Sequence, residues 1–320
     1  MAQYYTLGAA LPALSLENQT AHLYTPEEFI HLLLPLLDKR DKRQLDLIRL
    51  ERDNDLLARM LEERPLPEVS PELLALNREK LATLVKWMGE EAKLDPWMPV
   101  PYDREALDLK AYPKYMVDYV RHFLQLTPEE RQKEGFAADH LADRYFTYLQ
   151  DEGSHLIKLW SKLERSIAAI FAAIVVRDFD LDAKLYLIGE SELLQLLRSG
   201  EWKELSYLKD ADVVAEILQI SEEQDLKKRE MKIDALKWRL LDSFTFADFA
   251  SINAMIAYYL RLVILNRWKK LDREQGAEAF REIINNLNEE GREELNEYRR
   301  MAEQSGALKR SSLGQKKQYI

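Results

Sequence analysis

The spacing of apolar residues limits almost the whole of this chain to helices. Leu and Ala recur three and four positions apart among Glu, Lys and Arg over long stretches, which is the pattern of amphipathic helices. Only ten glycines occur in 320 residues, and the two closest, Gly306 and Gly314, are eight positions apart. Phosphate-binding loops need glycines only a few positions apart, so their motifs are absent. The sequence predicts an all-α fold, a multi-helix, elongated or lobed array of antiparallel helices.

Composition excludes several classes of function. The sequence has no cysteine, which excludes disulfides, thiolate nucleophiles and cysteine-ligated metal sites. Its 46 basic and 56 acidic residues give a formal net charge of −10, which repels nucleic acid phosphates. The longest apolar run, 167–176, is too short to span a bilayer, and the first residues lack the pattern of a secretory signal. We therefore predict a cytoplasmic protein with no nucleic-acid partner, no membrane span and no small-molecule substrate.

Three helix start signals can be read directly from the sequence. Thr25-Pro26-Glu27-Glu28 and Thr127-Pro128-Glu129-Glu130 each combine an N-cap residue, a proline at the first helical position and a capping-box glutamate. The first of these predicts a helix that reaches Pro35 or a little beyond. Ser70-Pro71-Glu72 predicts another helix, which continues through Trp87.

The longer helical patterns predict the core. A helix from Asp41 to about Glu63 carries a heptad-like seam with a central asparagine, which in paired helices can set the register. A second pattern runs with few breaks over 137–176, and Gly153 is its weak point. The residues of this seam are Leu47, Leu50, Asn54, Leu57 and Leu61.

The second half of the chain shows further apolar faces. Val213, Val214, Ile217 and Leu218 mark one amphipathic helix, and Ile233, Leu236, Leu240, Leu241 and Phe244 mark another. The nearly apolar stretch 244–265 predicts a helix enclosed on most sides, at the centre of the fold. Trp238 lies off the apolar stripe of its helix, so it is either a second-face core residue or an interface aromatic. The stretch 177–189 is a loop or a brief strand.

Prolines and charge suggest how the chain is divided. Pro96, Pro99, Pro101 and Pro113 interrupt the helical pattern, so we predict one integrated helical domain over 1–305 with a lobe boundary near 96–113. The last residues, 306–320, hold Lys309, Arg310, Lys316 and Lys317 among Ser, Gly and Gln. This composition predicts a flexible basic tail.

Catalytic chemistry has few candidates. The five histidines are never closer than nine residues, so the H-E-x-x-H zinc motif is absent. Two Glu-x-x-His pairs occur, Glu28/His31 and Glu152/His155, and a ferritin-like di-iron bundle uses two such pairs. That alternative competes with solvated surface residues, because Glu28 already serves a capping box and Gly153 interrupts the second pair. The sequence therefore assigns no catalytic, cofactor-binding or metal-binding residue and predicts a protein that is not an enzyme.

Several short stretches carry a resemblance to a known family. The chain opens with Tyr4-Tyr5-Thr6-Leu7-Gly8-Ala9-Ala10-Leu11-Pro12-Ala13-Leu14, an aromatic start followed by Leu-Pro-x-Leu. The other stretches are Arg52-Asp53-Asn54-Asp55-Leu56-Leu57, Trp238 to Leu241, Tyr258-Tyr259-Leu260-Arg261-Leu262, Arg267-Trp268, and Gly276 with Phe280. Together they resemble a little-characterised bacterial family whose genes lie within V-type ATPase operons.

The resemblance implies a role as a non-catalytic, peripheral subunit of a rotary ATPase. In size and helical character the chain is similar to the V-type ATPase central-stalk socket subunit, called C in prokaryotes and d in eukaryotes, which seats the rotor stalk on the membrane ring. The implied partners are the central stalk and the membrane ring of a complex that transports protons or sodium. The implied location is the inner face of the membrane, reached through partner subunits, and no cofactor is implied.

Such a role needs stiffness and contact surfaces rather than reacting groups. The candidate contact surfaces in the sequence are Tyr4, Tyr5, Trp238 and the stretch Arg267-Trp268-Lys269-Lys270, each of which is equally compatible with a core edge or a helix end. A generic helical scaffold with unrelated partners is a third alternative.

Overall fold

The computed structural model describes residues 4–16, 24–92, 107–245 and 250–271, and all regular structure within these ranges is helical. The α-helices are α1 (Tyr5–Ala10), α2 (Pro26–Leu33), α3 (Lys39–Leu61), α4 (Arg78–Ala92), α5 (Lys114–Gln125), α6 (Pro128–Glu134), α7 (Ala137–Glu152), α8 (His155–Asp178), α9 (Ala183–Tyr186), α10 (Glu192–Ser199), α11 (Ala211–Ser221), α12 (Leu226–Thr245) and α13 (Ile252–Leu271). Short 3-10 helices occupy Leu34–Leu36, Pro71–Leu73, Leu109–Ala111 and Trp202–Tyr207. The predicted all-α class is confirmed. None of the described helices combines the length and the apolar character needed to cross a bilayer.

The chain divides into two units. One consists of Met1–Pro12 with Leu23–Ile264, and the other of Ala13–His22 with Leu265–Ile320. The second unit is described only at 13–16 and 265–271, the latter being the end of α13. The predicted lobe boundary near 96–113 lies within the first unit and mostly outside the described residues. The predicted tail at 306–320 lies wholly outside them, and the single domain over 1–305 stays a prediction.

Within the first unit, α3 and α7 pack side by side in opposite directions. Near the start of α3, the Gln44 side-chain amide donates to the Glu152 carbonyl at the end of α7, at 3.2 Å. At the other end of α3, the Glu62 carboxylate accepts the N–H of Ala137 at the start of α7, at 2.7 Å. The antiparallel arrangement expected from the sequence is therefore confirmed for this pair.

A helical hairpin of α7 and α8 replaces the single long helical pattern expected over 137–176. Gly153 is the C-cap of α7 with extended backbone, and Ser154 is the N-cap of α8. A Cβ atom on Gly153 would lie 2.6 Å from both the Ile157 Cγ2 atom and the Leu149 carbonyl oxygen, so only glycine fits this turn. The predicted weak point is a helix break.

The seam predicted on α3 is confirmed. Each of its members, Leu47, Leu50, Asn54, Leu57 and Leu61, is buried. The asparagine has a different partner from the one a coiled coil would provide, because its Oδ1 atom accepts the Tyr115 hydroxyl of α5 at 2.9 Å. Asn54 therefore fixes α3 against α5 inside the chain.

A second group of helices, α8 with α10, α11 and α12, surrounds its own apolar core. Of the predicted faces, Val214, Ile217, Ile233, Leu236 and Leu241 are buried, and Val213, Leu218, Leu240 and Phe244 are half-buried. α12 runs antiparallel to α8, since Lys237 pairs with Glu164 at 2.8 Å and Arg229 lies 5.5 Å from the Phe171 ring. Both predicted amphipathic helices are thus confirmed.

Two expectations around α12 and α9 need correction. The apolar stretch 244–265 spans the end of α12 and most of α13, with 246–249 outside the described residues. Every residue over 254–262 is nevertheless buried, so the expected enclosure of this helix is confirmed. The stretch 177–189, expected to be a loop or a brief strand, contains the end of α8 and the one-turn helix α9.

Trp238 belongs to the core rather than to an interface. It is buried, and the guanidinium of Arg261 lies 5.2 Å from the centre of its ring. Arg261 in turn pairs with Asp242 at 2.7 Å. Of the two alternatives for this residue, the second-face core position is the one observed.

The helix predicted to run from Ser70 to Trp87 starts later than its sequence signal. Pro71–Leu73 form only a 3-10 turn, and α4 begins at Arg78. Asn77 has a φ of 67°, and its Oδ1 atom accepts the Lys80 N–H at 2.9 Å, which is the bond of an N-cap. The start predicted at Ser70 was wrong.

Buried charges on α3 explain the late start of α4. The two carboxylate oxygens of Asp53 accept the N–H groups of Ala75 and Leu76, at 2.8 and 3.2 Å. The guanidinium of Arg49 donates to the Leu74 carbonyl. Backbone groups bonded to side chains in this way cannot pair along a helix. We name Arg49 and Asp53, with the backbone that they hold, the Asp53 clamp.

The Asp53 clamp predicts a pH dependence of stability. Burial raises the pKa of Asp53 from 3.8 to about 6, although the two N–H donors and Arg49 act in the opposite direction. The folded chain therefore holds this proton more tightly than the unfolded chain, so the free energy of unfolding falls as pH rises from 3.8 to about 6. Asp53→Asn removes the titrating group and should reduce this slope. Urea unfolding at a series of pH values measures it.

The decisive comparison is between the wild type and Asp53→Asn in how steeply the free energy of unfolding changes with pH. Burial also raises the pKa of the neighbouring Asp46, so the variant keeps part of the dependence, and only the difference reports on Asp53. Identical slopes for the wild type and Asp53→Asn between pH 3.8 and about 6 would show that Asp53 does not titrate as stated.

Candidate interaction surface

The most exposed aromatic side chains of the described residues lie at the end of α8 and in the 3-10 helix Trp202–Tyr207. Phe179, which follows α8, is 72% exposed, and Tyr207 is 82% exposed. Val175, on the last turn of α8, is also exposed. Single exposed apolar residues are common, but several in one region mark a site of interaction with another molecule. We name Val175 and Phe179 the α8 tip.

A groove lies between α10 and the 3-10 helix that follows it. Ser191 caps the start of α10 by accepting the Leu194 N–H at 3.3 Å. Gly200 ends α10 in the left-handed conformation, with φ 74°, and turns the chain into the 3-10 helix. The groove has a volume of about 620 Å³, and its lining residues are Glu192, Leu196, Gly200, Glu201, Trp202, Lys203, Glu204 and Tyr207. We name this feature the acidic groove.

The end of α8 contacts the lining of the acidic groove through Arg177. The guanidinium of Arg177, on the last turn of α8, lies 5.3 Å from the centre of the Trp202 ring in the groove. This cation–π contact connects α8 to the groove lining. Together, the α8 tip and the acidic groove form what we call the aromatic surface.

The lining of the acidic groove combines apolar area with an excess of negative charge. The half-buried side chains of Leu196 and Trp202 provide apolar contact area. Three exposed carboxylates, on Glu192, Glu201 and Glu204, face a single exposed ammonium group, on Lys203. Such a groove can bind an apolar side chain while attracting positive charge around it.

A second groove of about 590 Å³ lies around the end of α3 and the start of α7. Its most prominent side chain is Phe136, which is 55% exposed. Acidic Glu62 and Glu63 are balanced here by Arg64 and Arg131. This second groove therefore lacks the charge bias of the acidic groove.

The aromatic start of the chain does not form an open surface at Tyr4. The Tyr4 side chain is buried, and its hydroxyl donates to the Asp41 carboxylate of α3. Burial and this bond raise the pKa of Tyr4 well above its ordinary value. The side chain of Tyr5 lies outside the described residues. Tyr4 is therefore a core-edge residue that fixes α1 to α3.

The stretch Arg267-Trp268-Lys269-Lys270 is mixed in character. Trp268 is buried, and the Arg267 guanidinium lies 5.5 Å from the centre of its ring. Lys269 is exposed, and the side chain of Lys270 lies outside the described residues. The tryptophan of this candidate contact surface is thus not available to a partner in this conformation.

The structure assigns local roles to the residues of the di-iron alternative. Glu28 completes the capping box of α2, where its carboxylate accepts the Thr25 N–H at 2.8 Å, and His31 is exposed on the same helix. Glu152 ends α7 and pairs with Arg43, whereas His155 begins α8.

Glu152 and His155 therefore do not lie on consecutive turns of one helix. His155 packs its ring 5.7 Å from that of Phe244. Across the ranges that the structure describes, no three His, Asp or Glu side chains are grouped so that they could hold a metal ion.

The sequence patterns did not predict the aromatic surface. Trp202 and Tyr207 follow a helix end and show no helical period, so a search for apolar stripes passes over them. A signal was present in Gly200-Glu201-Trp202-Lys203-Glu204, where a glycine C-cap precedes an aromatic residue among charged ones. The exposure of Phe179 and Tyr207 depends on tertiary packing.

Comparison with known proteins gives one family match. The sequence model of the family described as "Protein of unknown function (DUF2764)" matches residues 1–291. No curated protein matches the chain, and no solved structure does.

Proposed function

The chain belongs to the DUF2764 family, and we propose that it is a non-catalytic, peripheral subunit of a V-type ATPase. In this role it couples the rotor stalk to the membrane ring and so supports proton or sodium transport. It works through contacts with other proteins on the cytoplasmic side of the membrane. The aromatic surface is the observation that carries the proposal.

Exposed aromatic side chains support a binding role on energetic grounds. Phe179 and Tyr207 contribute large areas that a partner can cover, and buried aromatic anchors dominate the binding energy of many protein interfaces. Tyr207 also carries a hydroxyl group that can bond at the rim of an interface. The aromatic surface thus has the composition of an interface centre.

The packing along α8, the helix that carries the α8 tip, suits a part that carries load. α8 is joined to α12 by the Lys237–Glu164 ion pair at 2.8 Å and to α7 by the Arg165–Asp143 pair. Close-packed interiors resist compression and transmit strain. A force applied at the α8 tip is therefore passed to several helices rather than absorbed by a loop.

The resemblance to proteins encoded in V-type ATPase operons supports the choice of complex. It is carried by the opening stretch 4–14 and by the stretches within α3, α12 and α13. Several of these side chains, such as Tyr4, Trp238 and Tyr258, are buried, so they preserve the fold that presents the aromatic surface.

Co-purification with the ATPase tests the proposal. An affinity-tagged central-stalk subunit, isolated gently from cells that express both proteins, should recover the wild-type chain. The double variant Phe179→Ser with Tyr207→Ser should be recovered in amounts lower by about tenfold, because the lost aromatic contacts are those of an interface centre. Quantitative mass spectrometry of the eluate gives the ratio.

A matched variant controls for the loss of exposed apolar area. Leu32→Ser with Leu66→Ser removes two exposed leucines remote in sequence from the aromatic surface, and it should be recovered like the wild type. Absence of the wild-type chain from the eluate would contradict the assignment to the ATPase. Equal recovery of both double variants would contradict the role of the aromatic surface.

A further inference from the structure

We infer that the acidic groove binds a segment of a partner protein in which a bulky apolar side chain is flanked by lysine or arginine. This inference rests on the proposed function and names the kind of contact that the aromatic surface makes. The groove residues Glu192, Leu196, Trp202 and Tyr207 carry it.

Charge complementarity identifies the flanking residues of the bound segment. The carboxylates of Glu192, Glu201 and Glu204 line the groove, and only Lys203 among the lining residues carries a positive charge. Like charges brought into such a groove would be repelled, whereas lysine and arginine would be attracted and oriented. Acidic or phosphorylated segments are therefore disfavoured as occupants.

The apolar part of the lining identifies the central side chain. Leu196 and Trp202 are only half-buried, so each still has apolar area that a ligand can cover. Tyr207 is almost fully exposed and lines the same groove, where its ring can close over an inserted side chain. Covering this area favours binding through the hydrophobic effect, and the flanking charges would set the register.

The shape of the groove is fixed before any partner binds. Gly200 holds the turn between α10 and the 3-10 helix, and Arg177 packs on the Trp202 ring from α8. Leu194, Leu197 and Leu205 are buried in the apolar core against which Leu196 and Trp202 pack. A preformed groove loses little conformational freedom on binding, which favours affinity for a short segment.

The contrast with the second groove makes the assignment specific. Both grooves have similar volumes, about 620 and 590 Å³. The second groove pairs Glu62 and Glu63 with Arg64 and Arg131, so it has no preference for one sign of charge. Of the two grooves, we therefore expect only the acidic groove to select a basic segment.

A pair of synthetic peptides tests the inference on the full chain. One is a short fluorescein-labelled peptide with a central leucine pair flanked by lysines, and the other replaces each lysine with glutamate. Fluorescence anisotropy should detect binding of the lysine peptide at low salt, weakening as salt is added because exposed charges are screened. The glutamate peptide should not bind.

Charge-neutral variants locate the binding site. Glu192→Gln with Glu201→Gln and Glu204→Gln should weaken binding of the lysine peptide by about tenfold, since each exposed ion pair contributes modestly. Glu68→Gln with Glu90→Gln and Glu129→Gln changes the net charge equally at exposed positions elsewhere, and it should bind like the wild type. Circular dichroism confirms that each variant is folded.

Three outcomes would overturn the inference. They are no binding of the lysine peptide to the wild type at low salt, equal weakening by both triple variants, and self-association of the wild type that the groove variant abolishes. The last result, seen by analytical ultracentrifugation, would make a second copy of the chain the occupant. If the chain binds the lysine peptide but never co-purifies with the ATPase, the inference about the acidic groove stands and the proposed ATPase role fails.

Discussion

Asp53→Ala is expected to lower the free energy of unfolding by about 3 kcal/mol. The substitution leaves the N–H groups of Ala75 and Leu76, which now bond to the carboxylate at 2.8 and 3.2 Å, without their acceptor. It also removes a nearby negative charge from the buried guanidinium of Arg49. Urea unfolding at neutral pH, followed by circular dichroism, measures the loss.

The same helix offers a matched control for Asp53→Ala. Asp55 lies two positions further on, is exposed, and forms a surface ion pair with Arg59 at 3.2 Å. Asp55→Ala should change the free energy of unfolding by about 0.5 kcal/mol or less. If both variants lost the same small amount, the Asp53 clamp would not hold the segment before α4.

Gly189→Ala is expected to destabilise the chain by about 3 kcal/mol for two reasons. Gly189 has a φ of 115°, which L-residues with a side chain rarely adopt. An added Cβ atom would overlap the Asp143 carboxylate and lie 2.8 Å from the Arg165 guanidinium. The ion pair that joins α7 to α8 would therefore have to move. Thermal and urea unfolding measure the effect.

Gly200→Ala gives a reference for a side chain placed at a left-handed glycine without steric overlap. Gly200 also has a positive φ, 74°, but a Cβ atom there would have no neighbour within 4 Å among the described residues. The expected cost is about 1 kcal/mol, from the backbone alone. A loss for Gly189→Ala no greater than that for Gly200→Ala would refute the overlap with Asp143 and Arg165.

Local signals in the sequence predicted local structure well. The capping boxes at Thr25 and Thr127 are formed as expected, with both reciprocal bonds present, because all their atoms lie within four consecutive residues. The buried seam of α3 and the faces of α11 and α12 also follow from periodicity alone. The all-α class and its antiparallel pairs were predictable for the same reason.

Failures arose where distant residues decide the local conformation. Ser70 and Pro71 carry a good start signal, yet Asp53, 22 residues before Ala75, takes the backbone donors that a helix needs. At Gly153, the space that a Cβ atom would need is taken by Ile157 and by the Leu149 carbonyl oxygen. The low helix propensity of glycine indicates that a helix is less stable at Gly153, but it does not predict that the chain turns there.

The candidate site was the least predictable part. The Glu152/His155 spacing suggested ligands on one helical face, but the residues belong to different helices. The aromatic surface was missed, since the exposure of Tyr207 and the packing of Arg177 on Trp202 require knowledge of how α8 meets α10. Sequence spacing does not contain that information.

Site-specific photo-crosslinking tests the role of the aromatic surface most directly. A photoreactive phenylalanine analogue replaces Tyr207 in one variant and Leu66, which is also exposed, in a control, and both are expressed in cells that contain the ATPase. The proposal predicts that a V-type ATPase subunit, identified by mass spectrometry, is crosslinked from position 207 and not from position 66. Crosslinks from position 207 to unrelated proteins only, or to nothing, would contradict it.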